Sequence, residues 1–323
     1  MPKRRAATVR RPRARPGSRS RRQAKLPAPA PASQALVKRA VDFGRSQADL
    51  LLARPQIAVA AALRAGSSGI LVAEGDSWFD YPVHDVLERL EDQHGFRVES
   101  VAHSGDWIED MAYNPAQGAA LMRTLTRLRD DGKTPRAILL SGGGNDLVGD
   151  GFGALINHAS SGLPALNAQI VSGLINERLL YAYGCVIGRV NQMTQALFPN
   201  PVPIVIHGYG HAVPDGRGFL GGVWFLPGPW LRPGFDKKGH TSLPANTGVV
   251  ATLIDLFNTM LQSLPTFPNI QNVTYLDLRP VLKSTVAGDV YQQDWANEIH
   301  PTTSGYGAVA TAFANLIATF PMP

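Results

Sequence analysis

Five short apolar runs, at residues 70–73, 97–102, 137–140, 202–206 and 273–278, constrain this chain more than any other feature. Runs of Val, Ile and Leu without polar alternation suit strands covered by helices on both faces. Around them, apolar residues recur at helical spacing over 83–92, 118–130, 166–197, 246–264 and 301–319. Strand–helix alternation sustained over about 250 residues predicts a doubly wound α/β domain with a parallel sheet.

Charge divides the chain. Residues 1–40 hold 13 basic residues and no acid, whereas the remainder carries 18 basic and 25 acidic residues. The formal net charge of +6 therefore belongs to a tail, and a basic nucleic-acid-binding fold is excluded as the simplest reading of the whole chain. Residues 1–33 combine self-repelling charge, six prolines and few large apolar side chains, which predicts disorder and at most weak contact with polyanions. Pro and Ala alternate where a secretory signal needs an apolar core, so no signal peptide is read and the cytoplasm is the default compartment. Residues 34–66 read as a helical extension split into two helices by Pro55, ahead of a main domain at 67–323. The longest uncharged apolar stretches, such as 57–63, are far short of a membrane span. The single cysteine, Cys185, excludes a disulfide framework and a Cys-rich metal site; its apolar helical setting predicts an inert core thiol.

In sheets of this kind, ligands bind outside the carboxyl ends of the strands, so the chemistry is sought there. The first strand ends in Glu74-Gly75-Asp76-Ser77-Trp78. A glycine before a serine allows a sharp turn, and a helix N-terminus following it would favour negative charge near Ser77. Alone this is weak, because most loop serines cap helices or turns. The second strand ends in His103-Ser104-Gly105-Asp106, where the glycine offers an unobstructed N–H. The third ends in Ser141-Gly142-Gly143-Gly144-Asn145-Asp146, three glycines that let the backbone and Asn145 approach a ligand, without the GK[ST] ending of a phosphate loop. Near the C-terminus, Asp294-Trp295-Ala296-Asn297-Glu298-Ile299-His300-Pro301 leaves His300 on the loop before a helix that Pro301 is suited to open.

The order of these blocks resembles the SGNH, or GDSL-type, serine hydrolases. The match is GDSW at 75–78, the block around Gly105, GGND at 143–146 and EIHP at 298–301, in order over roughly residues 68–320. The resemblance implies a three-layer α/β/α sandwich with a mainly parallel, flavodoxin-like five-stranded sheet, and an esterase needing no metal or cofactor. It implies Ser77 as nucleophile, His300 as general base and then acid, and an oxyanion hole built from the Ser77 and Gly105 N–H groups and the Asn145 amide. Physical chemistry supports these roles: a serine hydroxyl attacks poorly until an imidazole takes its proton, and each oxyanion donor is worth roughly 3–4 kcal/mol of barrier. Asp76 reads as structural, ordering its turn through backbone hydrogen bonds. One position departs from the family, whose Asp three residues before the histidine is Asn297 here. Asn297 is the positional equivalent, acting through its side-chain oxygen; Glu298, Asp294 or a backbone carbonyl are the other candidates to orient His300.

Residues 217–235 carry Phe219, Leu220, Val223, Trp224, Phe225, Leu226, Trp230, Leu231 and Phe235 within a candidate lid at 209–245. Such a loop reads equally as a cover contacting an acyl chain and as an excursion packed on the body or on another subunit. Trp78, Trp107 and Trp295 stand beside the motif blocks and suggest a greasy pocket wall. The expectation is cleavage of a small-molecule or lipid-like carboxylic ester with an apolar acyl or aryl group, through an acyl-Ser77 intermediate. Acyl transfer by the same residues, and a catalytically silent binding module tethered by the basic tail, are the alternatives. His103, His207 and His211 follow strands but lack recognised metal-ligand spacing, and read as loop or pocket-wall hydrogen bonders.

Overall fold

The apolar runs pair as expected. β1 (Ile70–Gly75), β2 (Arg97–Ser100), β3 (Ala137–Ser141), β4 (Ile204–His207) and β5 (Val273–Leu276) form one parallel sheet in the order β2-β1-β3-β4-β5. The computed structural model describes residues 30–54, 68–219 and 227–323. The disorder expected of the tail up to residue 29, the helix expected after Pro55 and the apolar run 220–226 lie outside the described residues. Burial on both faces holds for β1, β3 and β4; the edge strands β2 and β5 are only half-buried, because each has a neighbour on one side alone.

In chain order the helices are α1 (Pro31–Leu52), α2 (Val86–His94), α3 (Ile108–Tyr113), α4 (Pro115–Asp130), the single turn α5 (Gly144–Leu147) and α6 (Ala168–Gly173). There follow a π-helical segment (Leu174–Leu179), α7 (Leu180–Leu197), α8 (Arg232–Lys237), α9 (Leu243–Ser263) and α10 (Thr303–Ile317). α2 and α10 pack together in one layer, while α1, α3 and α4 pack around α7 in another, with α9 on the π-helical segment and β4. The result is a three-layer α/β/α sandwich.

Two helix starts differ from the sequence reading. α1 begins at Pro31, inside the segment assigned to the tail, because proline is well placed in a first helical turn. The last helix begins at Thr303 rather than at Pro301: the Thr302 hydroxyl accepts from Gly305 N at 3.1 Å, a cap that proline cannot supply. Residues Ala168–Leu197 form a continuous stretch of 30 residues with mean hydropathy 1.2 in one window, long and apolar enough to cross a membrane by length and composition. That window is 61% buried inside the fold, as befits the central helix of a layer.

Small residues let α1 and α7 approach closely. A Cβ added to Gly184 would lie 2.7 Å from the Ala40 Cβ, and one added to Gly188 2.5 Å from the Val41 carbonyl oxygen. Cys185 lies in this contact, buried, its thiol pushed up to about 12 by desolvation. From the same helix the fully buried Arg189 reaches the Met111 carbonyl at 2.5 Å and Glu74 of β1 at 3.4 Å. Burial raises the Glu74 pKa and the Arg189 charge opposes that rise. The pair ties α7 and α3 to the strand that ends in the serine turn. Gly188→Ala is therefore expected to lower stability by about 1–3 kcal/mol through overpacking. An unchanged urea midpoint would mean that α1 does not seat this closely.

Candidate active site

Strand order reverses between β1 and β3, and Gly75 pairs with Ser141 at their carboxyl ends. The loops leaving those two strands diverge there and open the crevice expected at a switch point. Ser77 lies in a turn closed by Phe79 N donating to the Asp76 carbonyl at 3.0 Å. No helix follows directly: α2 starts only at Val86, so the helix-dipole help anticipated for Ser77 is absent. The turn is held instead by the Asp76 side chain. Its Oδ1 accepts from Trp78 N at 3.1 Å and from the Ser141 hydroxyl at 2.8 Å, and its Oδ2 accepts from the Tyr209 hydroxyl.

Ser77 Oγ lies 2.8 Å from His300 Nε2, and His300 Nδ1 lies 3.1 Å from Asn297 Oδ1. The Asn297 oxygen also accepts from Ile299 N at 3.1 Å and His300 N at 2.9 Å. Backbone N–H groups can only donate, so this amide must present its oxygen to them. The ring nitrogen facing the same oxygen must then carry the hydrogen, which leaves the Nε2 lone pair aimed at Ser77. With Asn at position 297, the ring tautomer is thus set by the local backbone. Burial brings the His300 pKa down to about 3, so the ring is neutral.

The other candidates for orienting His300 are engaged elsewhere. Asp294 accepts from Lys283 N at 2.8 Å. Glu298, fully buried, accepts from four backbone N–H groups: Gly216 and Arg232 at 3.0 Å, Trp230 at 2.6 Å and Leu231 at 2.7 Å. Burial raises its pKa and those donors pull against the rise. Its carboxylate fastens both ends of the apolar excursion to the loop that carries His300.

Gly105 has φ +91, a conformation that L side chains rarely adopt, and a Cβ there would meet nothing within 4 Å. Its loop is pinned by Ser104 N donating to Asp80 at 2.9 Å and by the Asn145 amide donating to the Asp106 carbonyl at 2.9 Å. One Asn145 amide hydrogen is thus used for orientation and the second remains available. Among the described residues, neither Ser77 N–H nor Gly105 N–H has a protein acceptor. The glycines before Asn145 serve packing rather than ligand approach: a Cβ on Gly143 (φ +84) would strike Phe257 at 2.5 Å, and one on Gly144 would strike Tyr209 at 2.8 Å.

Two spaces meet at Ser77, Asn145 and Ile299. An open crevice of about 350 Å³ is bordered by Tyr81, Gly105, Phe219, Trp230 and His300. A small cavity of about 40 Å³ is walled by Trp78, Leu231, Leu253, Ile254 and Trp295. Trp107, 45% exposed, lines neither space, so two of the three motif tryptophans form wall and the third faces solvent. The three strand-end histidines are also elsewhere. His207 is buried among Trp78, Phe79, Tyr209 and Phe313, His211 pairs with Asp255 at 3.0 Å, and His103 lies 3.4 Å from Asp106. Among the described residues, no three His, Cys, Asp or Glu side chains gather as a metal-ligand set. Tyr81 was not singled out in the sequence, where only its aromaticity near Ser77 could have pointed to it. Its ring stacks on His300 at 4.1 Å and its hydroxyl accepts from Asn297 Nδ2 at 3.1 Å.

No protein-family model matches the chain, and no curated protein does. Among solved structures it is similar to a GDSL-like lipase from Bacteroides thetaiotaomicron, at 12% identity, TM-score 0.34, covering 86% of this chain and 98% of that one. It is also similar to an acetyl xylan esterase from Geobacillus stearothermophilus, at 13% identity, TM-score 0.40, covering 81% and 100%. A third is LAE5, an alpha/beta hydrolase enzyme from the metagenome of Lake Arreo, Spain, at 13% identity, TM-score 0.39, covering 80% and 99%. Likeness at this level carries no argument about this chain; the architecture rests on the sheet and helices described above and the site on its own geometry.

Asp146 gives the site a measurable pH signature. One oxygen accepts from Ile108 N at 3.0 Å, the other is buried without a partner, and burial pushes the carboxyl up to about 7. An acid whose folded pKa is raised contributes stability below its unfolded pKa and loses it as pH rises through 7. Asp146→Asn keeps an acceptor without the charge. It is expected to gain roughly 2–4 kcal/mol on wild type between pH 5 and pH 8 in denaturant melts. A constant difference across that range would show that Asp146 does not titrate there.

Proposed function

We propose that the chain is a carboxylic ester hydrolase of the SGNH/GDSL type acting through an acyl-Ser77 intermediate. The observation that carries this reading is the line Ser77–His300–Asn297, opening into a crevice beside unpaired Ser77 and Gly105 N–H donors. His300 Nε2 takes the Ser77 proton as Oγ attacks the ester carbonyl, and the Ser77 N–H, Gly105 N–H and Asn145 amide stabilise the resulting oxyanion. The bond to the alcohol then breaks, and the same Nε2 delivers its proton to the leaving oxygen. Water, deprotonated by His300, attacks the acyl-enzyme, and Ser77 departs as the proton returns to it.

An uncharged orienting residue alters the electrostatics. An anionic Asp favours the imidazolium that forms during attack, whereas Asn297 contributes only a carbonyl dipole. Tyr81, held neutral with its pKa pushed up to about 12 by burial, and the edge of Trp230 flank the ring without adding charge. The ring is therefore a weak base that stays in its working, neutral form far into acid.

Two outcomes are expected. Ser77→Ala, folded by circular dichroism, loses p-nitrophenyl ester turnover by at least ~10³-fold, and retained turnover would sink the proposal. The acidic limb of kcat/KM in wild type falls below pH 5, because burial lowers the His300 pKa and the neutral ring is the active form. In Asn297→Asp the new charge favours the imidazolium and moves that limb up by about 1–3 pH units, with the Tyr81 hydroxyl turning to donate. Superimposable profiles would remove Asn297 from the reaction line.

A further inference from the structure

We infer that the small cavity beside Ser77 receives the acyl chain and the open crevice receives the alcohol, so that the chain selects esters of short apolar acids. This rests on the ester-hydrolase reading above. Of the two spaces that meet at Ser77 and Asn145, only the open one is bordered by His300. A general acid must reach the leaving oxygen within hydrogen-bonding distance, so that oxygen lies on the His300 side. The remaining substituent of the carbonyl carbon then points away from His300, toward the small cavity.

The chemistry of that cavity suits an alkyl group. Val148, Leu231, Val250, Leu253, Ile254 and Trp295 supply apolar wall. Its one ionisable carboxylate, Asp76, has both oxygens occupied by Trp78 N, Ser141 and Tyr209. A hydroxylated or charged acyl group placed there would find no partner beyond the Asn145 amide assigned to the oxyanion, and would lose its hydration. The open crevice differs, with the Ser104–Gly105 loop, Asn145, Tyr81 and His300 along its border, as a polar or bulky alcohol requires.

Size narrows the class further. The cavity of about 40 Å³ is far smaller than the crevice of about 350 Å³. It therefore suits a short chain such as butyryl better than a long one. A longer chain would have to displace Leu253 or Ile254, which α9 holds buried in the core.

The test is a chain-length series of p-nitrophenyl acetate, butyrate, hexanoate and octanoate on the full chain, with Ser77→Ala as background. The expected result is a kcat/KM maximum at butyrate, about 10-fold above both acetate and octanoate. Ile254→Ala and Val250→Ala, each checked for folding, should move the maximum to hexanoate. Should either variant fail to fold, the wild-type series decides alone. Ser77-dependent rates that are flat or climb to octanoate overturn the pocket assignment and leave the esterase reading standing. A butyrate maximum unmoved in both folded variants also overturns the assignment. Absence of Ser77-dependent turnover with every ester overturns the esterase reading, and the assignment with it.

Discussion

A single buried carboxylate, Asp76, holds the carboxyl ends of three strands together. It takes hydrogen bonds from its own turn, from Ser141 at the end of β3 and from Tyr209 beyond β4, and Tyr209 accepts in turn from Gly144 N at 3.2 Å. A buried carboxylate left without donors is costly, so the three loops are bound to supply them in one place. Ser77 follows Asp76 directly and Asn145 follows Gly144 directly. The positions of candidate nucleophile and candidate oxyanion donor are thus consequences of where this acid finds its partners.

The C-terminal loop divides labour between adjacent side chains in an unusual way. Glu298 accepts from four backbone N–H groups, anchoring Gly216 and residues 230–232. Asn297 faces the histidine, with its oxygen direction dictated by the N–H groups of Ile299 and His300. Tyr81 completes the arrangement by taking the amide hydrogen that would otherwise be buried unpaired and by stacking on the ring. Every side-chain polar atom along the line from the Ser77 hydroxyl to Tyr81 has a partner, as a buried network requires.

Much of this was legible in the sequence, for reasons that differ by element. The five apolar runs and the helical periods between them are local signals, and the strands appear where those signals place them. Boundaries shifted where capping chemistry outweighed the pattern, as at Thr302 in place of Pro301. Motif spacing brought Ser77, Gly105, Asn145 and His300 into view without revealing their distances. The glycines at 143 and 144 looked like room for a ligand and turn out to be room for Phe257 and Tyr209, since a missing side chain does not say what fills its place. Trp107 and Trp78 were indistinguishable as motif neighbours, yet one is exposed and the other forms cavity wall.

Sequence alone determined the α/β alternation, the sign change between tail and body, and the order of the motif blocks. Periodicity, composition and spacing are properties of neighbours along the chain. Only the tertiary structure decided which of Asp294, Asn297 and Glu298 meets His300, which ring nitrogen faces Ser77 and which two spaces meet there. Those answers depend on groups from residues 76–81, 104–106, 141–145, 209–219, 227–232 and 297–300 converging within a few ångströms. That convergence is created by parallel crossovers and by buried polar groups that must find partners, and neither is written into any single stretch of sequence.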